Sequence, residues 1–203
     1  MHLFIKNRYI TVSMKFDASI SILKDEEVYP PSEDSILLIE SFDVGHKEKI
    51  LEIGCGSGIV SIHCAKNGAD VTCGDLNPKA VSLTRRNAEL NDASIMIVET
   101  DVFSNIEGVF DTIVFNLPYL PVQEDGELAR SWSGGKDGLG PLPELLNGAD
   151  SHLTDTGRVI IVTSSLMDEL ALSKLLSGYD VRVLSELPLF FERLKVLEIK
   201  LIR

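Results

Sequence analysis

A glycine-rich segment, "LEIGCGSG", is the first place where the sequence could bind a ligand. An apolar run leads into Gly54, Gly56 and Gly58, and a helical pattern follows. Glycine lets the backbone turn sharply and approach a ligand closely, with the amides of the next helix facing it. The spacing differs from the dinucleotide pattern G-x-G-x-x-G, because Ile59 stands where that pattern has its third glycine. A tight turn without a ligand is the alternative at this point.

Acidic side chains follow the next two apolar runs. Asp75 comes about 20 residues after the first glycine, where a carboxylate can accept hydrogen bonds from ribose hydroxyls. Asp101 and Val102 follow the third run, where a carboxylate can accept from an adenine amine and a valine can line the ring. Because ligands of open α/β folds bind at the carboxyl ends of the strands, these ends predict one nucleoside-like ligand.

A fourth apolar run ends in "FNLPYLP", Phe115 to Pro121, which combines an amide side chain, two prolines and a tyrosine. Prolines fix a turn, so a simple strand end is one explanation of this segment. The preceding strand ends suggest a second explanation, in which the amide of Asn116 lies beside the same ligand.

These residues need a parallel sheet to bring them together, and the hydrophobic pattern predicts one from about residue 49 onward. Helical stretches separate most of the strands, and the last two strands are joined across "PLFFER" without a helix, which predicts an antiparallel hairpin at one side of the sheet. The seven predicted strands are "KILEIG", "ADVTCGD", "SIMIVETD", "DTIVFN", "RVIIVTS", "YDVRVLSEL" and "LKVLEIKLI". The helices between them are "IVSIHCAKNG", "NPKAVSLTRRNAELN", "PLPELLNGADSHL" and "SLMDELALSKLLSG".

The first part of the chain is predicted to be an N-terminal extension of residues 1–31, formed by a hairpin or an extended arm. The segment "PSEDSILLIESF" predicts an amphipathic helix beginning near Ser32. We therefore expect residues 32–203 to form a single domain, since a chain of 203 residues is short for two cores.

The composition indicates which partners and which cellular compartment to expect. The 31 acidic and 19 basic side chains give a formal charge of −12, which disfavours binding driven by phosphate neutralisation. The three cysteines form no C-x-x-C pair and the four histidines have no ligand spacing, so no metal site is predicted. The start of the chain has no apolar stretch typical of a signal peptide, and we expect a cytoplasmic protein with no membrane segment.

From about residue 28 to residue 203 the chain resembles the seven-stranded, Rossmann-like class I S-adenosylmethionine-dependent methyltransferases. The resemblance implies an α/β fold with a mostly parallel sheet, an antiparallel last strand and helices on both faces. Within it, "NLPY" resembles the Asn-Pro-Pro-Tyr motif of enzymes that methylate planar amino groups. That likeness implies a catalytic role for Asn116, Leu117, Pro118 and Tyr119. Leu117 replaces the family's usual proline and is expected to loosen the turn.

Two more segments bear on the substrate. "VYPPSEDSILLIE" and the loop "WSGGKDGL" resemble matching segments of the HemK/PrmC-like release factor glutamine methyltransferases, in the branch that acts on class-1 factors of archaea and eukaryotes. The resemblance implies methylation of the glutamine side-chain amide in a Gly-Gly-Gln motif. Adenine-amine methylation of RNA or DNA is the first alternative, because "NLPY" is also similar to ribosomal RNA adenine dimethylases, and protein lysine methylation is the second.

The same resemblance implies two sets of site residues. The oxygen of Asn116 and the carbonyl of Leu117 would accept the two N–H bonds of the planar group, while Tyr119 holds it flat. The residues implied to bind S-adenosylmethionine are Ser35, Glu52, Gly54, Cys55, Gly56, Asp75, Leu76, Asp101, Val102 and Asn116. Those implied to bind substrate are Asn116, Tyr119 and Trp132.

The resemblance also implies partners. The release factor is the substrate, and relatives pair with a small zinc-binding activator subunit (Trm112-like) that adds a strand to the sheet edge, here Ser94–Glu99. Four consecutive apolar residues make that strand prone to aggregation if it is left bare, although an interior strand would look the same. A binding module without chemistry is a further alternative, which the intact NLPY segment disfavours.

Overall fold

The structure is a computed structural model that describes residues 3–6, 9–126 and 128–202. A short 3-10 helix, Ala129–Ser131, interrupts the loop that follows the NLPY segment. In chain order, the strands and α-helices are β1 (Leu3–Lys6), β2 (Tyr9–Ser13), α1 (Glu33–Ser41), β3 (Asp43–Gly45), β4 (Lys49–Ile53), α2 (Ile59–Lys66), β5 (Asp70–Asp75), α3 (Pro78–Leu90), β6 (Ile95–Glu99), β7 (Phe110–Phe115), α4 (Leu142–His152), β8 (Leu153–Ser164), α5 (Glu169–Leu176), β9 (Tyr179–Pro188) and β10 (Arg193–Leu201).

The main sheet has seven strands in the order β6-β5-β4-β7-β8-β10-β9. Strands β6 to β8 pair in parallel, whereas β10 is antiparallel to both β8 and β9. The predicted seven strands, the terminal hairpin and the antiparallel last strand are therefore confirmed. Strand β6 lies at one edge of the sheet, as predicted, and its Met96 side chain is 66% exposed.

Helices cover both faces of this sheet, because successive side chains of each central strand point to opposite sides. On β8, Val159 and Ile161 join one core cluster, with helices α4 and α5. Ile160 and Val162 join a second cluster, with α1 and α2. This alternation explains the near-continuous apolar runs that predicted buried parallel strands.

The N-terminal extension contacts the main body through both backbone and side chains. Strand β2 pairs with β1 and with β3, a three-residue strand that was not predicted. Met14 is fully buried in the same cluster as Leu38 and Ile39 of α1. Further along, the amide of Leu23 donates to Asn87 Oδ1 of α3 at 2.8 Å. The extension thus shares a core with the sheet's helices.

A polar cluster, which we call the amino-edge cluster, lies where the parallel strands begin. The Arg158 side chain, 12% exposed, binds Glu198 Oε2 at 3.0 Å and Glu48 Oε1 at 3.5 Å. Its Nε donates to Thr112 Oγ1 at 3.0 Å, and the Thr112 hydroxyl in turn donates to Glu48. Although burial opposes it, the hydrogen bonds and charge of Arg158 lower the pKa of Glu198. Each ionic group here has a partner.

Helix boundaries differ modestly from expectation. Helix α5 begins at Glu169, with Asp168 accepting from the amides of Leu170 and Ala171, so the preceding residues of "SLMD" form a turn instead of a first helical turn. Strand β8 begins at Leu153, directly after α4 ends. Within the described ranges, no helix is both long enough and apolar enough to span a membrane.

Candidate active site

A cavity of about 500 Å³ opens at the carboxyl edge of the parallel strands. It is bounded by the ends of β4, β5, β6 and β7, by the start of α1 and by the loop before α4. The structure brings all the predicted site residues to this one cavity. They are Ser35, Glu52, Gly54, Cys55, Gly56, Asp75, Leu76, Asp101, Val102, Asn116, Leu117, Pro118, Tyr119 and Trp132.

The backbone of the glycine loop between β4 and α2 packs very closely against neighbouring side chains. Gly54 has a φ of +67°, and a Cβ there would lie 2.6 Å from the Phe115 ring. A Cβ on Gly58, which caps α2 with a φ of +81°, would lie 2.7 Å from Thr84. Both positions therefore require glycine for conformation and for space.

Asp75 connects the glycine loop to the next helix. Its Oδ2 accepts from the Gly56 amide and its Oδ1 from the Asn77 amide, both at 2.9 Å. Burial raises the pKa of Asp75, while these amide hydrogen bonds oppose the rise. Asn77 itself caps α3 by accepting from the Lys79 amide. The carboxylate thus sits, already oriented, at the position where the sequence placed a ribose contact.

Glu52 is a buried carboxyl group beneath the same loop. Its Oε2 accepts from the Ser61 amide at 2.9 Å and from the Ser61 hydroxyl. Burial raises the pKa of Glu52 to about 8, and the bonds from Ser61 only partly oppose this rise. Burial therefore favours the neutral form of this carboxyl group.

Val102 has an unusual backbone conformation at the end of β6. Its φ is +42°, in the left-handed region that β-branched residues rarely adopt. The side chain is nonetheless buried, and the Val102 carbonyl accepts from the Thr100 hydroxyl at 3.3 Å. Such strain persists only where the surroundings impose it, and it concentrates at functional sites. The strain turns Asp101, which is exposed, and Val102 toward the cavity that both line.

The NLPY segment contains a buried acceptor with no partner. Among the side-chain nitrogen and oxygen atoms that the structure describes, Asn116 Oδ1 is the buried atom without a hydrogen bond. Leaving such an acceptor unpaired costs about 1–3 kcal/mol, so its presence beside a cavity indicates a missing donor from a ligand. Leu117 is 1% exposed and packs in the core cluster that includes Leu142. Packing thus anchors the Leu117 side chain, while its expected effect on the turn stays a prediction.

Tyr119 reaches across the cavity to helix α1. Its hydroxyl donates to Asp34 Oδ2 at 3.4 Å, a long bond. Asp34 Oδ1 accepts from the amide of Ser35 and from the hydroxyls of Ser32 and Ser35. Burial, and then the charge of Asp34, raise the pKa of Tyr119, so the phenol stays neutral. This network joins the NLPY segment to the start of α1.

The glycine-rich loop after Trp132 packs directly on the backbone of the NLPY segment. A Cβ on Gly134 or on Gly140 would lie 2.7 Å from the Pro118 carbonyl oxygen, and one on Gly138 would lie 2.6 Å from that of Tyr119. Gly134 also donates its amide to Leu120 at 2.8 Å. The absence of side chains lets this loop support the NLPY turn from behind.

Trp132 forms part of the cavity wall near its opening. Its indole Nε1 donates to Glu124 Oε2 at 2.8 Å, and its ring lies 6.5 Å from that of Tyr29, measured between centroids. Together the two aromatic rings border the space in front of the NLPY segment.

The sequence analysis missed several polar residues of the cavity lining, among them Asp34, Tyr29, Glu124 and Arg130. Asp34 and Tyr29 lie within the segment "VYPPSEDSILLIE", and their side-chain chemistry could have identified them. Glu124 and Arg130 lie in an irregular loop whose path no periodic pattern reveals.

The side chains that line the cavity fit S-adenosylmethionine. The nucleoside would meet carboxylates at Asp75 and Asp101 and an apolar contact at Val102, with the glycine loop close to the rest of the molecule. The cavity volume lies within the range of about 300–1,000 Å³ typical of small-molecule sites. At the end of the cavity where the methyl group would react, the Asn116 oxygen is an acceptor without a hydrogen-bond partner in the protein.

Comparisons with known proteins agree with this geometry. The profile of the methyltransferase small domain family matches residues 31–184. The chain is 43% identical over 179 residues to a putative protein N5-glutamine methyltransferase of Methanocaldococcus jannaschii, covering 84% of this chain and 90% of the relative. It is 31% identical over 153 residues to methyltransferase HEMK2 of Mus musculus, covering 68% of this chain and 72% of the relative.

A bacterial relative is longer. The chain is 30% identical over 151 residues to the release factor glutamine methyltransferase of Lactococcus lactis, covering 68% of this chain but only 56% of that protein. The chain therefore spans about half the length of this bacterial relative.

Solved structures share the fold. A methyltransferase from Pyrococcus furiosus superimposes with a TM-score of 0.71 at 23% identity and covers 91% of each chain. The E. cuniculi Mtq2–Trm112 complex, responsible for methylation of the eRF1 translation termination factor, gives a TM-score of 0.69 at 20% identity over 87% of this chain and 99% of that chain.

Proposed function

The chain belongs to the methyltransferase small domain family, and on that premise we propose that it transfers a methyl group from S-adenosylmethionine to the side-chain amide of the glutamine in the Gly-Gly-Gln motif of a peptide chain release factor. The unpaired, buried Asn116 oxygen is the observation that carries this proposal. Relatives named as protein N5-glutamine and release factor glutamine methyltransferases support the choice of substrate.

The chemical difficulty is a weak nucleophile. An amide nitrogen shares its lone pair with the carbonyl group, so orientation has to supply much of the rate. Asn116 Oδ1 accepts one N–H of the substrate amide, and the Leu117 carbonyl accepts the other, which aims the nitrogen at the methyl donor. Tyr119 holds the flat amide group in place. The methylated amide is strongly acidic before it loses its proton, so the protein needs no strong base.

S-adenosylmethionine supplies an activated methyl group on a positively charged sulfur. Asp75 would accept hydrogen bonds from its ribose hydroxyls, Asp101 would accept from its adenine amine, and Val102 would line the ring. The glycine loop would hold the remainder of the molecule, with polar contacts from Ser35 and Glu52.

Three further assignments belong to this proposal. Residues 32–203 form the single methyltransferase domain, residues 1–31 are its extension, and the protein acts in the cytoplasm. A small zinc-binding, Trm112-like subunit pairs with strand β6, whose position at the edge of the sheet and exposed Met96 suit strand addition. The name of the E. cuniculi complex supports this partner.

Methylation of purified release factor by the wild-type chain and by an Asn116→Ala variant tests the proposal. Removing the acceptor should lower the rate of methyl transfer by about 100-fold or more, because misoriented nucleophiles lose at least this factor. Asn147→Ala, on the exposed side of α4, is the matched control and should retain full activity. Mass spectrometry of the product should place the methyl group on the glutamine amide.

Two results would contradict the proposal. Equal activity of Asn116→Ala and wild type would remove Asn116 from the reaction. Methylation of ribosomal RNA or of DNA in parallel incubations, with no methyl group on the release factor, would assign the site to adenine amines, and that activity should fall steeply as salt rises.

A further inference from the structure

The turn between β9 and β10 exposes two adjacent aromatic side chains. Phe190 and Phe191 are 92% and 84% exposed, the highest values among the large hydrophobic residues that the structure describes. Their rings meet edge to face, with centroids 4.7 Å apart and planes at 82°. The Leu189 amide donates to the Glu192 carbonyl at 2.8 Å, which closes the turn. The two rings therefore form a defined apolar projection, which we call the Phe190–Phe191 knob.

The knob lies on the same side of the sheet as the candidate active site. Strand β10 is antiparallel to β8, so the start of β10 meets the carboxyl end of β8. There the Ser164 hydroxyl donates to Glu192 Oε2 at 2.5 Å, and the Ser165 amide donates to the Arg193 carbonyl at 2.9 Å. Helix α1, which starts at the cavity, packs against both β9 and β10.

Glu192 links the turn to the cavity electrostatically. Burial is the first cause of the raised pKa of Tyr29 and of Tyr119, and the negative charge of Glu192 adds to both shifts. Both tyrosines line the cavity, so the charge of Glu192 acts on two residues of the cavity wall.

Exposed acidic side chains lie near the opening and the knob. Glu33, at the start of α1, and Glu124, which lines the cavity, are exposed, and Glu192 lies at the base of the knob. Arg130 is an exposed basic residue that also lines the cavity, but the chain as a whole carries a charge of −12. A partner that docks here is complementary when it presents basic side chains around an apolar patch.

A protein substrate has to contact this rim. The Asn116 oxygen is buried, so a side chain must extend into the cavity while the backbone that carries it stays at the opening. A stable protein interface buries about 800 Å² on each partner, far more than one glutamine side chain offers. Aromatic residues are enriched in such interfaces, and each one can bury about 150–250 Å².

We propose that the Phe190–Phe191 knob is the docking point for the body of the methylated protein, and that this protein presents there an apolar patch flanked by basic side chains. The proposal rests on the proposed function, because it concerns how a protein substrate reaches that site. The family profile ends at residue 184, so the knob lies outside the matched part of the chain.

Kinetics with two substrates test the proposal. One substrate is the whole release factor, and the other is a short peptide that carries only the Gly-Gly-Gln segment. The variant Phe190→Ser/Phe191→Ser should raise KM for the whole factor about tenfold or more and leave kcat unchanged, while both constants for the peptide stay at their wild-type values. Glu33→Lys should also raise KM for the whole factor, by a smaller ratio that shrinks as salt is added. Ile202→Ser, 70% exposed at the far end of β10, is the matched control and should change neither substrate.

Each other outcome has a definite meaning. If the wild type methylates the factor and the knob variant keeps the same KM, docking at the knob is wrong although the proposed function stands. The same holds if the variant loses peptide methylation equally, since the cavity itself would then be damaged. If the variant turns a dimer into a monomer on sedimentation with KM unchanged, a second copy covers the knob. If the wild type methylates neither substrate, the proposed function fails and the docking proposal falls with it.

Discussion

The two edges of the main sheet differ in whether their buried polar groups have hydrogen-bond partners. At the amino edge, Arg158 binds Glu48, Glu198 and Thr112, and every ionic group has a partner. At the carboxyl edge, Asn116 Oδ1 is buried without a partner and Val102 is held at a φ of +42°. Satisfied polar groups stabilise a fold, whereas unsatisfied and strained ones persist where a ligand completes them. The paired cluster at the amino edge therefore stabilises the fold, whereas the carboxyl edge keeps polar groups available for a ligand.

The largest loss of stability is expected from a substitution at the amino edge. Arg158→Met leaves two buried carboxylates without their main partner, and breaking such a pair should lower the free energy of unfolding by about 3 kcal/mol or more. Methyl transfer by the fraction that remains folded should stay at the wild-type rate. Chemical denaturation and activity at low temperature would measure the two quantities.

Arg182→Met is the matched control for that experiment. Arg182 binds the same Glu198 at 3.0 Å, but its side chain is 57% exposed, so its loss should cost less than about 1 kcal/mol. If Arg158→Met slowed methyl transfer as much as Asn116→Ala does, the two edges would not be independent and the comparison would fail.

The second prediction concerns the loop that supports the NLPY segment. Gly138→Ala and Gly135→Ala place a side chain at similar positive φ values, +72° and +78°. Only at Gly138 would the Cβ meet a backbone atom, the Tyr119 oxygen at 2.6 Å, whereas the space at Gly135 is open. Both variants should lose about 1 kcal/mol of stability through backbone strain. Gly138→Ala should additionally lower kcat by about 10- to 100-fold, because it displaces the segment that we propose to be catalytic.

The measurement is kcat together with the dissociation constant of S-adenosylmethionine for each variant. We expect that constant to change little in either one, since the displaced atoms belong to the part of the cavity that we propose to bind the substrate. Equal loss of kcat in the two variants would mean that loop strain, and not displacement of the NLPY segment, controls the reaction.

Much of this carboxyl edge could be predicted from the sequence. The glycines, Asp75, Asp101 and Asn116 each follow an apolar run, and the ends of parallel strands meet at one edge, so local patterns already imply a shared site. The amino-edge cluster gave no such signal. Arg158 and Glu48 lie 110 positions apart, and only tertiary packing brings them together.

Smaller features were missed for other physical reasons. Strand β3 has three residues, too few for any periodicity to emerge. The need for glycine at position 134 comes from a close approach to the Pro118 oxygen, which depends on the path of two loops. Likewise, the effect of Leu117 depends on its burial in the core, which the turn chemistry of the segment does not reveal.

The third prediction contrasts two buried carboxyl groups by their response to pH. Burial raises the pKa of Glu52 from an ordinary value of 4.5 to about 8. Between these values the folded protein binds more protons than the unfolded chain, so the free energy of unfolding falls as pH rises, by at most about 1.4 kcal/mol per pH unit. Glu198 has a lowered pKa and acts in the opposite sense, stabilising the fold above the ordinary carboxyl range and losing that contribution as pH falls.

Denaturation of wild type and Glu52→Gln between pH 5 and 8 measures this contribution. The variant should gain stability relative to wild type as pH rises through that interval, because a neutral amide has no charge to desolvate. Glu89→Gln, at an exposed position on α3, should follow the wild-type curve. A constant difference between wild type and Glu52→Gln over the whole interval would show that Glu52 does not titrate there.

The smallest expected effect separates the ring of Tyr119 from its hydroxyl group. The hydroxyl reaches Asp34 over 3.4 Å, and a bond of this length contributes little. Tyr119→Phe should therefore lower the single-turnover rate of methyl transfer by at most about fivefold, equivalent to about 1 kcal/mol. Tyr119→Ala, which removes the flat surface proposed to hold the amide, should lower it by about 100-fold. If Tyr119→Phe were as slow as Tyr119→Ala, the hydroxyl would have to act on the reacting group itself. The carboxyl edge would then have two polar groups that act on the substrate, the Tyr119 hydroxyl and the Asn116 oxygen. Its contrast with the fully paired amino edge would be stronger.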